Sequence, residues 1–116
     1  MSEIKVSYFS EFHARVLDTL MLSGAERLDL DHMAYGLLEE SGEVAGELKR
    51  LMREDNGHMN TPRREAILKE MGDVLWYLDA LATVLDSSLE EVATNVAKKL
   101  ADRKARGVLM GRGGDR

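Results

Sequence analysis

Cysteine is absent from this 116-residue chain, which excludes disulfides, thiolate zinc sites and thiol catalysis together and fits a reducing compartment. Proline occurs once, at Pro62, so little interrupts long helices, and no segment shows sustained strand alternation. Aromatic residues are only 5% of the chain, leaving aliphatic and methionine side chains to fill the core. No apolar run approaches the roughly 18 residues a membrane span needs, and Met1–Phe9 is polar and mixed, unlike a signal peptide. A cytoplasmic location without a membrane partner is expected. Positive charge is also in short supply: 16 Lys and Arg face 21 Asp and Glu, a net charge of -5. That balance excludes binding of a nucleic acid polymer by bulk charge. It leaves open a small phosphorylated ligand held by a metal or a few local cations.

What is present is helical periodicity. Phe9, Phe12, Val16 and Leu20, joined by Leu17, line one side of a helix over about Ser7–Leu22, which Ser23-Gly24 ends. A second helix is expected over Asp31–Arg53 with Asp29 or Asp31 as N-cap. Asn56-Gly57 marks a turn, Thr61-Pro62 opens a third helix to about Asp86 with Thr61 as its cap, and Ser88-Leu89-Glu90-Glu91 is a capping box opening a fourth to about Arg103. The short connection makes the second and third helices an antiparallel hairpin. The expected fold is therefore one all-α domain over residues 1–106, with a mobile tail at 107–116 that holds four glycines and three charged residues.

The chemistry sits in two acid pairs, Glu40 with Glu43 and Glu70 with Asp73. Spacing of i,i+3 puts both members of a pair on one helix face. On a helical wheel, Met33, Leu37, Val44, Leu48 and Leu51 centre the apolar arc of the second helix, and Glu40, Glu43 and Glu47 lie at its edge. Glu39 points further outward. Ile67, Met71, Leu75, Leu78, Ala82 and Leu85 form the arc of the third helix, bordered by Glu70, Asp73 and Tyr77. Glu43 stands roughly 16 Å of helix from the loop and Glu70 roughly 12 Å beyond it, so a hairpin sets the pairs nearly level. Four carboxylates brought together repel one another and lose hydration, a penalty that a divalent cation removes. An all-oxygen ligand set selects Mg²⁺, or Mn²⁺, over zinc or iron. A single acid of this kind reads as a solvated face; two level pairs at core edges favour a metal site. Gly36, Gly42, Gly46 and Gly72 inside helices, each costing roughly 1 kcal/mol against alanine, point to close helix approach or room for a ligand.

These residues carry a family resemblance. Glu40-x-x-Glu43, a spacer of 26 residues and Glu70-x-x-Asp73, flanked by Leu38-Glu39-Glu40-Ser41-Gly42-Glu43 and Lys69-Glu70-Met71-Gly72-Asp73-Val74-Leu75-Trp76-Tyr77, resemble the MazG-like all-α nucleoside triphosphate pyrophosphohydrolases. The basic stretch Lys99–Gly107 and the tail Gly113–Arg116 are similar to members of that group as well. The resemblance implies Glu40, Glu43, Glu70 and Asp73 as ligands of Mg²⁺, with water attacking the α-phosphorus of a nucleoside triphosphate to release monophosphate and pyrophosphate. A carboxylate not committed to metal, Glu39 or Glu43, is expected to take the water's proton. Lys98, Lys99, Arg103 and Arg106 supply cations for the polyanion, or else complement the dipole at a helix C-terminus. Asn95 matches the family's Asn-x-x-Lys-Leu element with one residue more in the spacing. Tyr77, one turn after Asp73, is expected at the sugar or base, or as a half-buried core tyrosine. Trp76 reads as an inter-helix or oligomer contact, and His13, His32 and His58 as packing, surface or loop residues.

The resemblance further implies a homodimer or homotetramer whose nucleotide pocket is closed by a neighbouring subunit, and the tail, with Arg112 and Arg116, is placed to reach over such a pocket. Two other enzyme substrates keep the same metal site: a phosphoribosyl-nucleotide or a single dNTP. A non-catalytic, nucleotide-binding helical oligomer is the alternative of another class, and the intact acid quartet speaks against it. A di-iron bundle requires Glu-x-x-His pairs, which are missing here.

Overall fold

The computed structural model describes residues 4–110. It holds four helices, α1 (Phe9–Thr19), α2 (Glu26–Glu54), α3 (Thr61–Val84) and α4 (Leu89–Arg106), and no strand among the described residues. The expected all-α architecture is observed. α2 and α3 pack along their length as the central hairpin, and α1 and α4 each dock on α3. None of the helices is long and apolar enough to cross a membrane.

The boundaries follow local chemistry that the sequence only partly reveals. α1 is shorter than periodicity suggests. Glu11 reaches back to accept from the Ser7 and Tyr8 N–H groups at 2.6 and 3.3 Å, and the helix stops where Leu20 turns extended. α2 starts at Glu26 rather than Asp31, after Ala25. Asp29 is not its N-cap but sits inside the first turn, where its carboxylate accepts from the Ser23 N–H at 2.8 Å and the Ser23 hydroxyl at 2.7 Å. Folding the linker back onto the helix in this way lets α2 begin early. Gly24 supplies the positive φ, +85°, that the turn requires. In α3 the cap is Asn60, whose side chain accepts from the Arg63 N–H at 2.9 Å. Thr61 is therefore already helical, and Pro62 follows in the first turn, where a missing N–H costs nothing.

Between α2 and α3, Asn56 and Gly57 adopt positive φ, which is the turn the Asn-Gly pair signals. Ser88 caps α4 by accepting from the Glu91 N–H at 3.1 Å, while the Glu91 carboxylate takes the Ser87 hydroxyl at 2.7 Å. α4 runs to Arg106, where left-handed Gly107 and a Val108 N–H bonded to the Arg103 carbonyl at 2.9 Å close it. Positions 111–116 of the tail lie outside the described residues.

The buried core is small and lies at the end of the hairpin far from the α2–α3 turn. Val16, Met33 and Ala80 form its centre, with Phe12, Leu20, Trp76, Tyr77, Leu81 and Val84 packed around them. α1 is fastened there by two polar contacts. Trp76 donates from its indole Nε1 to Thr19 at 2.9 Å, which makes it the inter-helix contact expected of it. His13 Nδ1 meets Asp79 Oδ2 at 3.0 Å, and Asp79 is only 1% exposed.

The apolar arcs are only partly covered: Met33 and Ala82 are buried and Leu37, Leu51 and Ile67 half-buried. Leu48, Met71, Leu78 and Leu85 are exposed, and Ser41, Val44, Met71, Val74, Leu75 and Leu78 line an open apolar groove along one side of the helix pair. The seam itself is occupied by the residues described next.

Candidate metal centre and active site

Three layers of residues meet across the α2–α3 seam. Nearest the turn, Arg63 donates from Nη1 to Glu47 at 2.7 Å, from Nε to Asp55 at 2.7 Å and from Nη2 to Glu54 at 3.1 Å. Farthest from it, the Tyr77 ring lies over Gly36 so closely that a Cβ there would overlap the ring; this is the close helix approach that an internal glycine permits. Between them stand the acids. One carboxylate oxygen from each of Glu40, Glu70 and Asp73 lies within 4.8 Å of the others.

This arrangement places three of the four expected ligands together and leaves one aside. Glu43, a turn along α2, is exposed and outside the cluster. Burial, and then the charges of Asp73, Glu70, Glu39 and Glu43, push the Glu40 carboxyl above the usual glutamate range. Among the described residues no ion pair joins a lysine or arginine to Glu40, Glu70 or Asp73 (the pairs are at Asp79, Asp31, Asp102 and the Arg63 cluster). Converging carboxylates without a protein cation fit a bound metal ion, and the all-oxygen donors suit a hard one. Gly42 and Gly72, between the members of each acid pair in sequence, are exposed, with open space where a Cβ would point.

The other expected site residues divide in two. Tyr77 and Glu39 border a recess shared with His32, Tyr35 and Gly36. Tyr77 is half-buried and stacked edge-on to Trp76, with ring centroids 4.9 Å apart, so it is both a packing residue and a wall of that recess. Asn95, Lys98 and Lys99 are exposed on α4, Arg103 is buried at 5% exposure, and Arg106 bonds Asp102 one turn earlier at 2.9 Å. Among the described residues, no ion pair joins Lys98, Lys99, Arg103 or Arg106 to the acid cluster.

Sequence reasoning missed two polar assemblies. One is the Arg63 cluster, for which the signal was available: Arg63 follows a loop whose preceding helix ends in Glu54 and Asp55, with Glu47 two turns back. The other is the pairing of His13 with Asp79, residues 66 positions apart with no local pattern connecting them.

A model of the MazG nucleotide pyrophosphohydrolase domain matches residues 29–108, a span that takes in both acid pairs and the whole hairpin seam. The Gene 37 protein of Mycobacterium phage L5 is 37% identical over 103 residues, covering 85% of this chain and 90% of that protein. No solved structure matches the chain. With the domain model spanning more than half of the residues and the acid motifs inside the match, this chain belongs to the MazG nucleotide pyrophosphohydrolase domain family.

Proposed function

We propose that the protein hydrolyses nucleoside triphosphates, ribo- or deoxyribo-, to monophosphate and pyrophosphate in a Mg²⁺-dependent reaction, with Mn²⁺ able to substitute. The observation that carries this reading is the convergence of Glu40, Glu70 and Asp73 across the seam, with no lysine or arginine ion-paired to them among the described residues. These three carboxylates, joined by Glu43 from the adjoining turn, would hold the metal. When bound, the ion neutralises phosphate charge and acidifies water. Glu39 and Glu43 are exposed beside the cluster, where a carboxylate free of metal can accept the proton of the attacking water. Tyr77 closes the recess next to the acids and orients the sugar or base.

The cations of α4 serve the triphosphate in an assembled homodimer or homotetramer. Asn95, Lys98, Lys99, Arg103 and Arg106 do not meet their own chain's cluster, and the exposed groove along the hairpin, with Val92, Val96 and Leu100 exposed on α4, gives a second copy apolar surface to cover.

The test is a panel of canonical and modified nucleotides assayed with and without Mg²⁺, quantifying monophosphate and pyrophosphate together. Equal yields of both, abolished by Asp73→Asn, support the reading. Diphosphate with orthophosphate would overturn the assigned bond, and full turnover by Asp73→Asn would overturn the site.

A further inference from the structure

The acid cluster depends on α2 and α3 keeping one register, which Tyr77 over Gly36 helps to hold at the far end of the seam and which the cluster itself does not. A slide of one helical turn moves one helix past the other by about 5.4 Å, more than the 4.8 Å that spans the three carboxylate oxygens. Beside the acids, Val44, Met71, Leu75 and Leu78 of the apolar arcs line the open groove. The acids themselves repel. Something outside the cluster must therefore fix how far α3 lies along α2.

Arg63 has the geometry for that task. Its side chain is 14% exposed and addresses three acids with three different nitrogens: Glu47 on the body of α2, Glu54 at its end and Asp55 in the turn. Arg50 holds the other Glu47 oxygen at 2.9 Å, so the carboxylate receiving Arg63 is itself fixed. Glu47 follows Glu40 by seven residues on α2, and Arg63 precedes Glu70 by seven on α3. Each interval is two helical turns, so the Arg63–Glu47 bridge and the Glu40–Glu70 approach belong to the same register. A bridge at one layer sets the other.

We propose that Arg63 is a positioning residue for the candidate metal site: its bridge to Glu47 sets the α2–α3 register that holds Glu40 level with Glu70 and Asp73. This rests on reading those carboxylates as the metal site. Arg63 touches neither metal nor substrate and acts through the helices. Polar groups that fix register, sometimes at the expense of stability, are a known use of buried ionic contacts.

The experiment measures Mn²⁺ affinity by electron paramagnetic resonance on the full chain for the parent, Arg63→Met, Arg63→Lys, Glu47→Gln and Asp73→Asn, below the melting transition of each. Arg63→Met is expected to weaken Mn²⁺ binding about tenfold, the scale of losing a residue that orients ligands. Nucleotide KM at saturating metal should stay near the parent value while kcat falls. Arg63→Lys keeps the charge without the three-way fork and should recover part of the affinity. Glu47→Gln leaves Asp55 and Glu54 on Arg63 and weakens the cross-seam contact together with the Arg50 pair within α2, so it carries the test if Arg63→Met does not fold; an intermediate loss is expected. Lower melting temperatures with Mn²⁺ affinity within about twofold of the parent would make Arg63 a stability residue only and overturn the inference. Asp73→Asn separates the two failures. If it binds Mn²⁺ like the parent, the metal reading falls and the positioning role with it. If it loses the ion while the Arg63 and Glu47 variants keep it, the positioning role alone falls.

Discussion

Replacing Glu40 with glutamine should make the metal-free protein more stable and the metal-loaded protein less so. Glu40 is partly buried and faces Glu70 and Asp73, with oxygens inside a 4.8 Å cluster. Two unit charges at that distance repel by about 0.9 kcal/mol in a water-like medium and by about 3.5 kcal/mol at an effective dielectric of 20. Glu40 keeps enough exposure for solvent and salt to screen it, so the lower figure is the better guide and further discounting applies. Relief of both repulsions is then worth about 1 kcal/mol, or roughly 4 °C in the melting midpoint of a domain this size. Against this, a ligand at a hundred times its Kd stabilises the folded state by about 2.7 kcal/mol, a gain the parent should show with Mg²⁺ and the variant should lack. Thermal melts followed by far-UV circular dichroism, at matched protein concentration, in EDTA and in millimolar MgCl₂, should therefore cross: Glu40→Gln higher in EDTA, the parent higher in Mg²⁺. A parent indifferent to Mg²⁺ and Mn²⁺, or a variant less stable than the parent in EDTA, would refute the account of a repulsive cluster relieved by a cation.

The same cluster has a signature in pH. Because the folded-state pKa of Glu40 is raised, the folded chain binds more protons than the unfolded one between about 4.3 and that raised value, so metal-free stability contributed by this group falls as pH climbs through that window; the stability advantage of Glu40→Gln in EDTA should open over the same interval. Asp29 and Asp55 work in the opposite sense, since hydrogen bonds from Ser23 and from Arg63 lower their pKa values. Their contribution is complete above about 3.9 and is lost as pH falls through the lowered values, which an acid titration of Asp55→Asn against the parent would reveal. Gly36→Ala would gain about 1 kcal/mol in an open helix, but the added methyl meets the Tyr77 ring, so a net destabilisation of about 1–3 kcal/mol is expected; urea melts should show the loss largely cancelled in Gly36→Ala/Tyr77→Ala, and additive effects would refute the contact. His13→Ala strips the buried Asp79 carboxylate of its side-chain partner and should cost about 1–3 kcal/mol, toward the lower end because His13 is 38% exposed and water can enter; a change confined to the measurement error in urea melts would show that α1 docks without this bond.

Helix number, order and the central hairpin are legible in the sequence because they rest on local signals: the Asn56-Gly57 turn, the Ser88 cap and the periodic apolar positions. The acid motif is legible for the same reason, since its i,i+3 spacing is a property of one helix at a time. Two things are not. The early start of α2 depends on Asp29 bonding backward to Ser23, a choice between two uses of one capping residue that no periodicity decides. Nor does a helical wheel, which reads one helix at a time, decide how much of each apolar arc a neighbour covers. In the folded chain Glu40, Glu47, Gly36, Arg63, Glu70, Asp73 and Tyr77 take the seam, and Leu48, Met71 and Leu78 are left exposed.

That placement is the physical reason to connect the metal with assembly. A helix pair whose seam holds three converging carboxylates, with no lysine or arginine ion-paired to them among the described residues, carries a repulsion within its own contact. Arg63 at one end and Tyr77 over Gly36 at the other align it but do not neutralise it. Part of the apolar surface lies open along the groove, where each exposed side chain forgoes about 25 cal/mol for every Å² left in water. Two independent deficits follow from one arrangement, a charge deficit inside the seam and a burial deficit beside it. In the proposed enzyme a cation would answer the first and a second copy of the chain the second. The proposed enzyme would thus reach its stable form only when loaded and assembled, and metal and protein concentration should each raise its melting midpoint.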